Sequence, residues 1–355
     1  MLRGQLKCFW MHECQNVQIV QNKTGYYAGV GAHQSYDVPP CIIKRRIGVK
    51  IQKQNKSLYS ARERRRMRIG FLYAVPWLIG FLVFKGYPFL SSLYYSFTDM
   101  NLQKSSYWYT LDNYRQIFTD PQMLKVLTIT FKYAFLTVPL KLTAALFIAY
   151  ILCFNLKGVR FFRTAYYIPS VLGGSIAVAV LWKALFQKQG VINNLLMVLG
   201  IEGPSWLGDP GYALFLICLL RVWQFGSSMI IFLAALKGVP RDLYEAASID
   251  GANKWKQFFK ITIPMISPVI FYNLITQLCA AFQEFNGPYV ITNGGPNGAT
   301  TLISLLIYNN AFLKFDMGMA SAQAWVLFTV VGGLSLVAFM SQKKWVYYSD
   351  EDGGR

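Results

Sequence analysis

Long apolar runs separated by short polar segments fill the chain from about residue 69 onward. Six runs reach membrane-spanning length, at about 69–97, 126–153, 165–186, 212–236, 266–289 and 320–341. A hydrocarbon core of about 30 Å takes about twenty helical residues. Lipid offers the backbone no hydrogen-bond partners, so spans of this kind are helices. The pattern therefore predicts an all-α polytopic membrane protein with six transmembrane helices. Between the fourth and fifth runs lies a mostly polar island, Val239–Pro264, VPRDLYEAASIDGANKWKQFFKITIP. Its spacing predicts two short helices. Pro240 suits a first helical position, and Leu243, Ala246 and Ala247 share one face. Gly251 then breaks the run, Trp255, Phe258 and Phe259 form a second apolar face, and Pro264 is expected to end the second helix.

Charge gives these runs a direction. The formal net charge is +19, and the basic residues alternate with apolar runs rather than gathering on a soluble domain, which argues against nucleic-acid binding. Arg62, Arg64, Arg65, Arg66 and Arg68 precede the first run, Lys157, Arg160 and Arg163 follow the second, and Lys343 and Lys344 follow the sixth. Basic segments stay cytoplasmic. Both termini and the polar island are therefore expected on the cytoplasmic side of a cell membrane, with lipid around the spans.

Residues 1–57 form an unpatterned extension, expected to be a disordered tail or a mis-annotated start, with translation beginning near Val49 or Leu58. Residues 58–355 are read as the membrane domain. The spacing of Cys8, His12, Cys14, His33 and Cys41 matches no standard zinc pattern, so no metal site is expected.

Polar residues inside the runs are the candidate chemistry, because ionisable groups in hydrocarbon face a bundle interior, a cavity or an interface. Lys132 and Lys141 are expected to do so in the second run. In the fourth, Arg221, Gln224 and Ser228 recur at helical spacing, and in the fifth Asn273, Gln277 and Glu284 do the same. These stripes are the candidate lining of a translocation path. Arg221 and Glu284 differ by roughly 6 Å in depth at 1.5 Å per residue, which leaves open both an ion pair and a contact between Arg221 and an acidic group on a substrate. Pro169, Gly173 and Gly174 allow bending in the third run. The Gly/Asn/Thr-rich segment 287–301 is expected to be an external loop, and it lacks the order of a P-loop.

The island also carries a resemblance. Glu245, Ala246 and Ala247, then Gly251, then Ile261, Ile263 and Pro264 reproduce the "EAA" signature of binding-protein-dependent ABC importer permeases, with Ile263 replacing the usual Leu. The segments GYPFLSSLYYSFTDMNL, SWLGDPGYAL and TNGGP are similar to stretches of maltose-type sugar permeases in that family. The resemblance covers essentially residues 58–355. It implies a non-catalytic membrane subunit that translocates a sugar or oligosaccharide. It also implies a second related permease, an ABC ATPase dimer and an extracytoplasmic solute-binding protein as partners. This subunit would bind no cofactor, ATP and Mg residing on the ATPases. Glu245, Ala246, Ala247, Gly251 and Pro264 would belong to the coupling loop through which ATPase motion reaches the membrane helices.

Two other classes fit less well. An ion-coupled secondary transporter would show inverted halves and several intramembrane acids, whereas Glu284 is the one convincing example. A membrane enzyme needs a catalytic set, yet the spans hold no histidine, and Cys153, Cys218 and Cys279 lie in apolar surroundings.

Overall fold

The computed structural model describes residues 61–103, 108–154 and 157–347. The expectations about the N-terminal extension and a later start fall outside them. The chain divides into two units, and the fold below belongs to the second, Met67–Arg355. Its elements are helical, with single bridges at Thr98–Tyr109 and Asn101–Asp316 as the extended pairings among the described residues.

Three of the predicted spans are single long helices. The first is the composite helix Arg68–Ser96, in which α1 (Ala61–Phe81) joins α2 (Tyr87–Ser96) through a π turn, Leu82–Gly86. After the short amphipathic α3 (Asp112–Thr119) come α4 (Pro121–Cys153) and, at the end of the chain, α15 (Met317–Ser341). Local chemistry starts α4: Pro121 needs no donor in the first turn, and the Asp120 carboxylate accepts from the Gln122 amide at 2.9 Å.

The other three predicted spans are broken, the third near Gly173 and Gly174, where bending was expected. Helices α5 (Val159–Leu172) and α6 (Ile176–Leu185) meet at 104°. After α7 (Val191–Val198), α8 (Pro210–Trp223) and α9 (Gly226–Gly238) meet at 43°. Helix α10 (Arg241–Ile249) is followed by the segment Lys254–Met265, made of α11 (Lys254–Gln257), a π turn and α12 (Ile263–Met265). That segment meets α13 (Ser267–Phe282) at 67°. Counting each bent pair as one gives up to six candidate spans by length and composition among the described residues.

Pro264 does not end its helix as expected. The helix passes through it after a π turn, Phe258–Thr262, whose wider winding relieves the clash between a proline ring and the carbonyl four residues earlier. The break comes at Ile266, because Pro268 has no N–H to bond Pro264 O. Ser267 Oγ donates to that carbonyl instead, at 2.6 Å.

The core sits around α4, which packs against α8, α9 and α13. Small residues permit this: Ala134, Ala145 and Ala149 are fully buried on one side of α4. Segment 287–301 is a partly buried loop, with Tyr289, Asn293 and Asn297 exposed. A π turn, Pro288–Thr292, opens it and packs on α6. Ile291, Thr300 and Leu302 are buried, and Thr292 and Thr300 share a hydroxyl hydrogen bond at 2.6 Å. Its Asn and Gly residues serve left-handed turns, with φ of 49° at Asn293 and 82° at Gly294. An unanticipated apolar helix follows, Ile303–Leu313, comprising α14 (Ile303–Tyr308) and a π turn, Asn309–Leu313.

Candidate functional site

Broken backbone at membrane depth needs partners, and here the breaks supply one another. Gln224, in the break between α8 and α9, donates its amide to Gly173 O in the break between α5 and α6, at 3.1 Å. Ser170 Oγ donates to Gln224 O at 2.9 Å and accepts from the Ser227 amide at 3.0 Å. Asn286, just beyond α13, donates to Gly174 O at 3.3 Å. Glycine makes the approach possible: a Cβ on Gly226 would lie 2.3 Å from Tyr166 O, and one on Gly173 2.3 Å from Gln224 Cδ.

Arg221 and Glu284 close this junction. Arg221 Nε lies 3.6 Å from Glu284 Oε2, with the side chains 24% and 14% exposed. The Arg221 guanidinium also donates to Gln224 Oε1 at 3.3 Å, and Glu284 Oε1 accepts from the Gly287 amide at 3.1 Å. Glu284 is held by a loop rather than a helix, since α13 stops at Phe282. A small polar cavity bounded by Tyr133, Arg221, Gln224, Glu284 and Asn286 lies among them.

The predicted stripes are only partly assembled here. Arg221, Gln224 and Glu284 come together, but the break after Trp223 puts Ser228 on a different helix. Ser228 and Asn273 are buried in the bundle, where Ser228 Oγ and Asn273 Oδ1 have no hydrogen-bond partner. Gln277 is half-buried. Lys141 is buried as expected, while Lys132 is exposed, being rotated away from the buried face that contains Tyr133 and Ala134. The sequence reading missed Ser170 and Asn286, whose signal was their nearness in the chain to Gly173, Gly174 and Gly287.

A cluster of rings adjoins the pair. Phe285 stacks on Tyr289 at 5.0 Å, and Tyr308 lies 5.0 Å from Phe285, 5.3 Å from Tyr289 and 5.2 Å from Phe312. The i, i+4 spacing of Phe285 with Tyr289 and of Tyr308 with Phe312 was its sequence signal.

At the other end of α4 the polar island folds as a helical hairpin. Glu245, Ala246 and Ala247 lie on α10, with Glu245 and Ala246 exposed and Ala247 half-buried. Pro240 is the residue before the helix rather than its first turn. Gly251 ends α10 in a left-handed conformation, φ 74°, while the Gly251 amide donates to Ser248 O at 3.1 Å and the Ala252 amide to Ala247 O at 2.9 Å. This pairing satisfies the last carbonyls of a helix and favours glycine. Asn253 caps α11 through Lys256 N at 2.8 Å. Gln257 ties the two arms, donating to Ser248 Oγ at 2.9 Å and Ala252 O at 3.0 Å, and Tyr244 and Thr262 share a hydrogen bond at 2.8 Å. With polar groups turned inward, apolar ones are left outside: Ile249 is 88% exposed and Trp255 73%. Phe258 packs on Tyr150 at 4.8 Å, joining the hairpin to the last turn of α4.

Comparison with known proteins matches residues 133–342 to the family described as "Binding-protein-dependent transport system inner membrane component". The chain belongs to this family. The permease is 45% identical over 287 residues to the probable ABC transporter permease protein YesP of Bacillus subtilis, covering 80% of this chain and 93% of that one. It is 34% identical to the lactose transport system permease protein LacF of Rhizobium radiobacter, over 78% of this chain and 94% of that one. Its fold resembles a chain of a bacterial ABC transporter involved in the import of the acidic polysaccharide alginate, with a TM-score of 0.69, 23% identity, and coverage of 80% and 98%. Membership makes the permease a multi-pass membrane component of a transport system and sets aside the ion-coupled secondary transporter.

Proposed function

We propose that this permease is the non-catalytic membrane subunit of an ATP-driven importer that moves a sugar or oligosaccharide delivered by a solute-binding protein. Kinship with a lactose permease supports the substrate class. The carrying observation is the hairpin Arg241–Met265, a rigid polar-cored projection that leaves Ile249 and Trp255 open at one end of the bundle. A projection of that kind suits a cleft in a cytoplasmic ATPase, with Glu245, Ala246, Ala247 and Gly251 shaping the docked helix and Pro264 in the arm that returns to α13. ATP and Mg would be held by two ATPase copies.

The basic segment 157–163, Lys237 and the C-terminal Lys343 and Lys344 adjoin the hairpin's end of the bundle, which fits a cytoplasmic placement of that end and of both termini. At the junction, Arg221, Gln224 and Glu284 form a polar gate beside the rings of Phe285, Tyr289 and Tyr308. Ring faces suit the C–H faces of a sugar, and the amides and charges suit its hydroxyls. The gate lies at a partly exposed face of the chain, where a second, related permease would complete the passage; Ser228, Asn273 and Gln277 would move toward it as the broken helices rearrange.

The test is reconstitution of the permease, purified from native membranes with its partners, into proteoliposomes. ATP-dependent sugar uptake is expected, together with loss of the ATPase from an Ile249→Asp/Trp255→Asp variant that remains folded. Uptake without ATP, or retention of the ATPase by that variant, would overturn the reading.

A further inference from the structure

A second, roomier cavity lies away from the Arg221–Glu284 junction and shares no lining residue with it. It holds about 780 Å³ between α3, the first turns of α4, the loop at Asn297–Thr301, the helix Ile303–Leu313 and the start of α15. That places it at the end of the bundle opposite the hairpin, since Met123 and Val126 line it and Tyr150, more than twenty residues along α4, touches the hairpin. Its size is that of a small-molecule site.

The chemistry of its wall restricts what it can hold. Asp120 and Asp316 are balanced by Lys125 and Lys314, so the lining has no net formal charge. Three of these four are already engaged with the backbone. Asp120 accepts from Gln122 N at 2.9 Å, Asp316 accepts from Met319 N at 3.0 Å, and Lys125 donates to Asn297 O at 2.8 Å. Five carboxamides also line it, with Gln116, Gln122 and Asn297 exposed and Asn310 and Gln323 buried. A carboxamide presents a donor and an acceptor together, the complement of a hydroxyl, which is also both.

The buried amides are a second, independent observation. Asn310 and Gln323 are only 5% and 4% exposed, although Gln323 stands beside an apolar cluster of Met123, Val126 and Ile303. Asn310 donates to Gln323 Oε1 at 2.9 Å, which fixes the orientation of the pair. Gln323 Nε2 then faces only the weakly accepting Met123 Sδ, at 4.0 Å. A buried amide donor without a good acceptor is destabilising. Asn310 moreover stands in a π turn, Asn309–Leu313, an irregularity that recurs at binding sites.

We infer that this outer cavity is a binding site for a neutral, hydroxyl-rich small molecule, a saccharide, whose oxygen completes the hydrogen bonding of Gln323. The inference rests on the sugar-importer reading for its choice of sugars as probes, and its wall chemistry stands apart from transport. No aromatic ring lines the cavity, so it lacks a stacking surface and is expected to bind weakly and with little preference among neutral sugars.

The experiment places a cysteine at an exposed lining position, Gln122→Cys, in the purified permease with its partners, and follows maleimide labelling of that residue by peptide mass spectrometry with maltose or trehalose present. Sugar at about four times its Kd is expected to slow labelling about fivefold. Adding Gln323→Met, which fills the same volume without an amide, should abolish the protection and leave the unliganded labelling rate unchanged. Protection by neither sugar at saturating concentration, protection that survives Gln323→Met, or protection by the sugar-free solute-binding protein alone would each overturn the proposal, the last by making the cavity a protein-docking socket. Uptake measured in parallel separates the two readings: protection without ATP-dependent uptake removes the importer reading and leaves the site, whereas uptake without protection does the reverse.

Discussion

Gln224 donates its side-chain amide to Gly173 O across 3.1 Å, and in doing so pins the break of one bent helix pair to the break of another. The two residues lie fifty-one positions apart. The Gly173 carbonyl at one break takes its partner from the Gln224 side chain, and the Gln224 carbonyl at the other takes its own from Ser170 Oγ at 2.9 Å.

The closeness of the bent pairs predicts a graded response to a single methyl group. Gly226→Ala would drive a Cβ to 2.3 Å from Tyr166 O, which is backbone and cannot step aside. It is expected to cost about 1–3 kcal/mol, the range for overpacking. Gly174→Ala meets nothing within 4 Å and should stay within about 0.5 kcal/mol of the parent. Melting curves of the detergent-solubilised protein compare them; equal melting temperatures would refute the close approach.

Arg221 and Glu284 are expected to behave as a couple. Glu284→Gln or Arg221→Gln alone should destabilise by about 1–2 kcal/mol, below the range for a fully buried pair because both side chains retain some solvent. The exchange Arg221→Glu/Glu284→Arg should recover part of that loss. A double-mutant cycle on the same melting curves yields the coupling energy, and a value near zero would show that the two charges act separately.

Gly251 isolates a backbone effect from a packing effect, because its Cβ position is open space while its φ is 74°. Gly251→Ala should therefore cost about 1 kcal/mol from conformation alone. Gly251→Asn should cost less, since asparagine tolerates the left-handed region. Faster amide exchange across 245–258 in the alanine variant, with the rest of the bundle unchanged, is the expected observation.

Ser267 joins the bend before α13 to the end of the chain, donating to Pro264 O at 2.6 Å and accepting from the Tyr347 amide at 2.8 Å. Ser267→Ala removes both bonds and is expected to cost about 1–3 kcal/mol. Exchange at Tyr347 should rise while the edge-to-face contact of Trp345 with Phe271, at 5.8 Å, limits how far this segment detaches. Unchanged exchange at Tyr347 would show that the serine does not hold the tail.

The sequence by itself determined the helical class, the order of apolar runs and the hairpin. Those features are local: the length of a run sets whether it can cross a bilayer, Asp120–Pro121 starts a helix, and Gly251 supplies a conformation few other residues tolerate. Glu284 was also legible as the acid within reach of Arg221, because helical rise alone bounds their depth. Tertiary structure decided where the helices break and what the breaks enclose. Pro268, rather than Pro264, ends the hairpin's second arm, because the π turn Phe258–Thr262 accommodates Pro264. Gln224 and Ser228 part company because Gly226 admits the backbone of α5, and segment 287–301 is partly buried because α6 packs on its first turn. Gln323 looked like one polar residue in an apolar helix until Asn310 was folded against it. Such pairings depend on which distant backbone group happens to lack a partner, and that is fixed only when the helices pack.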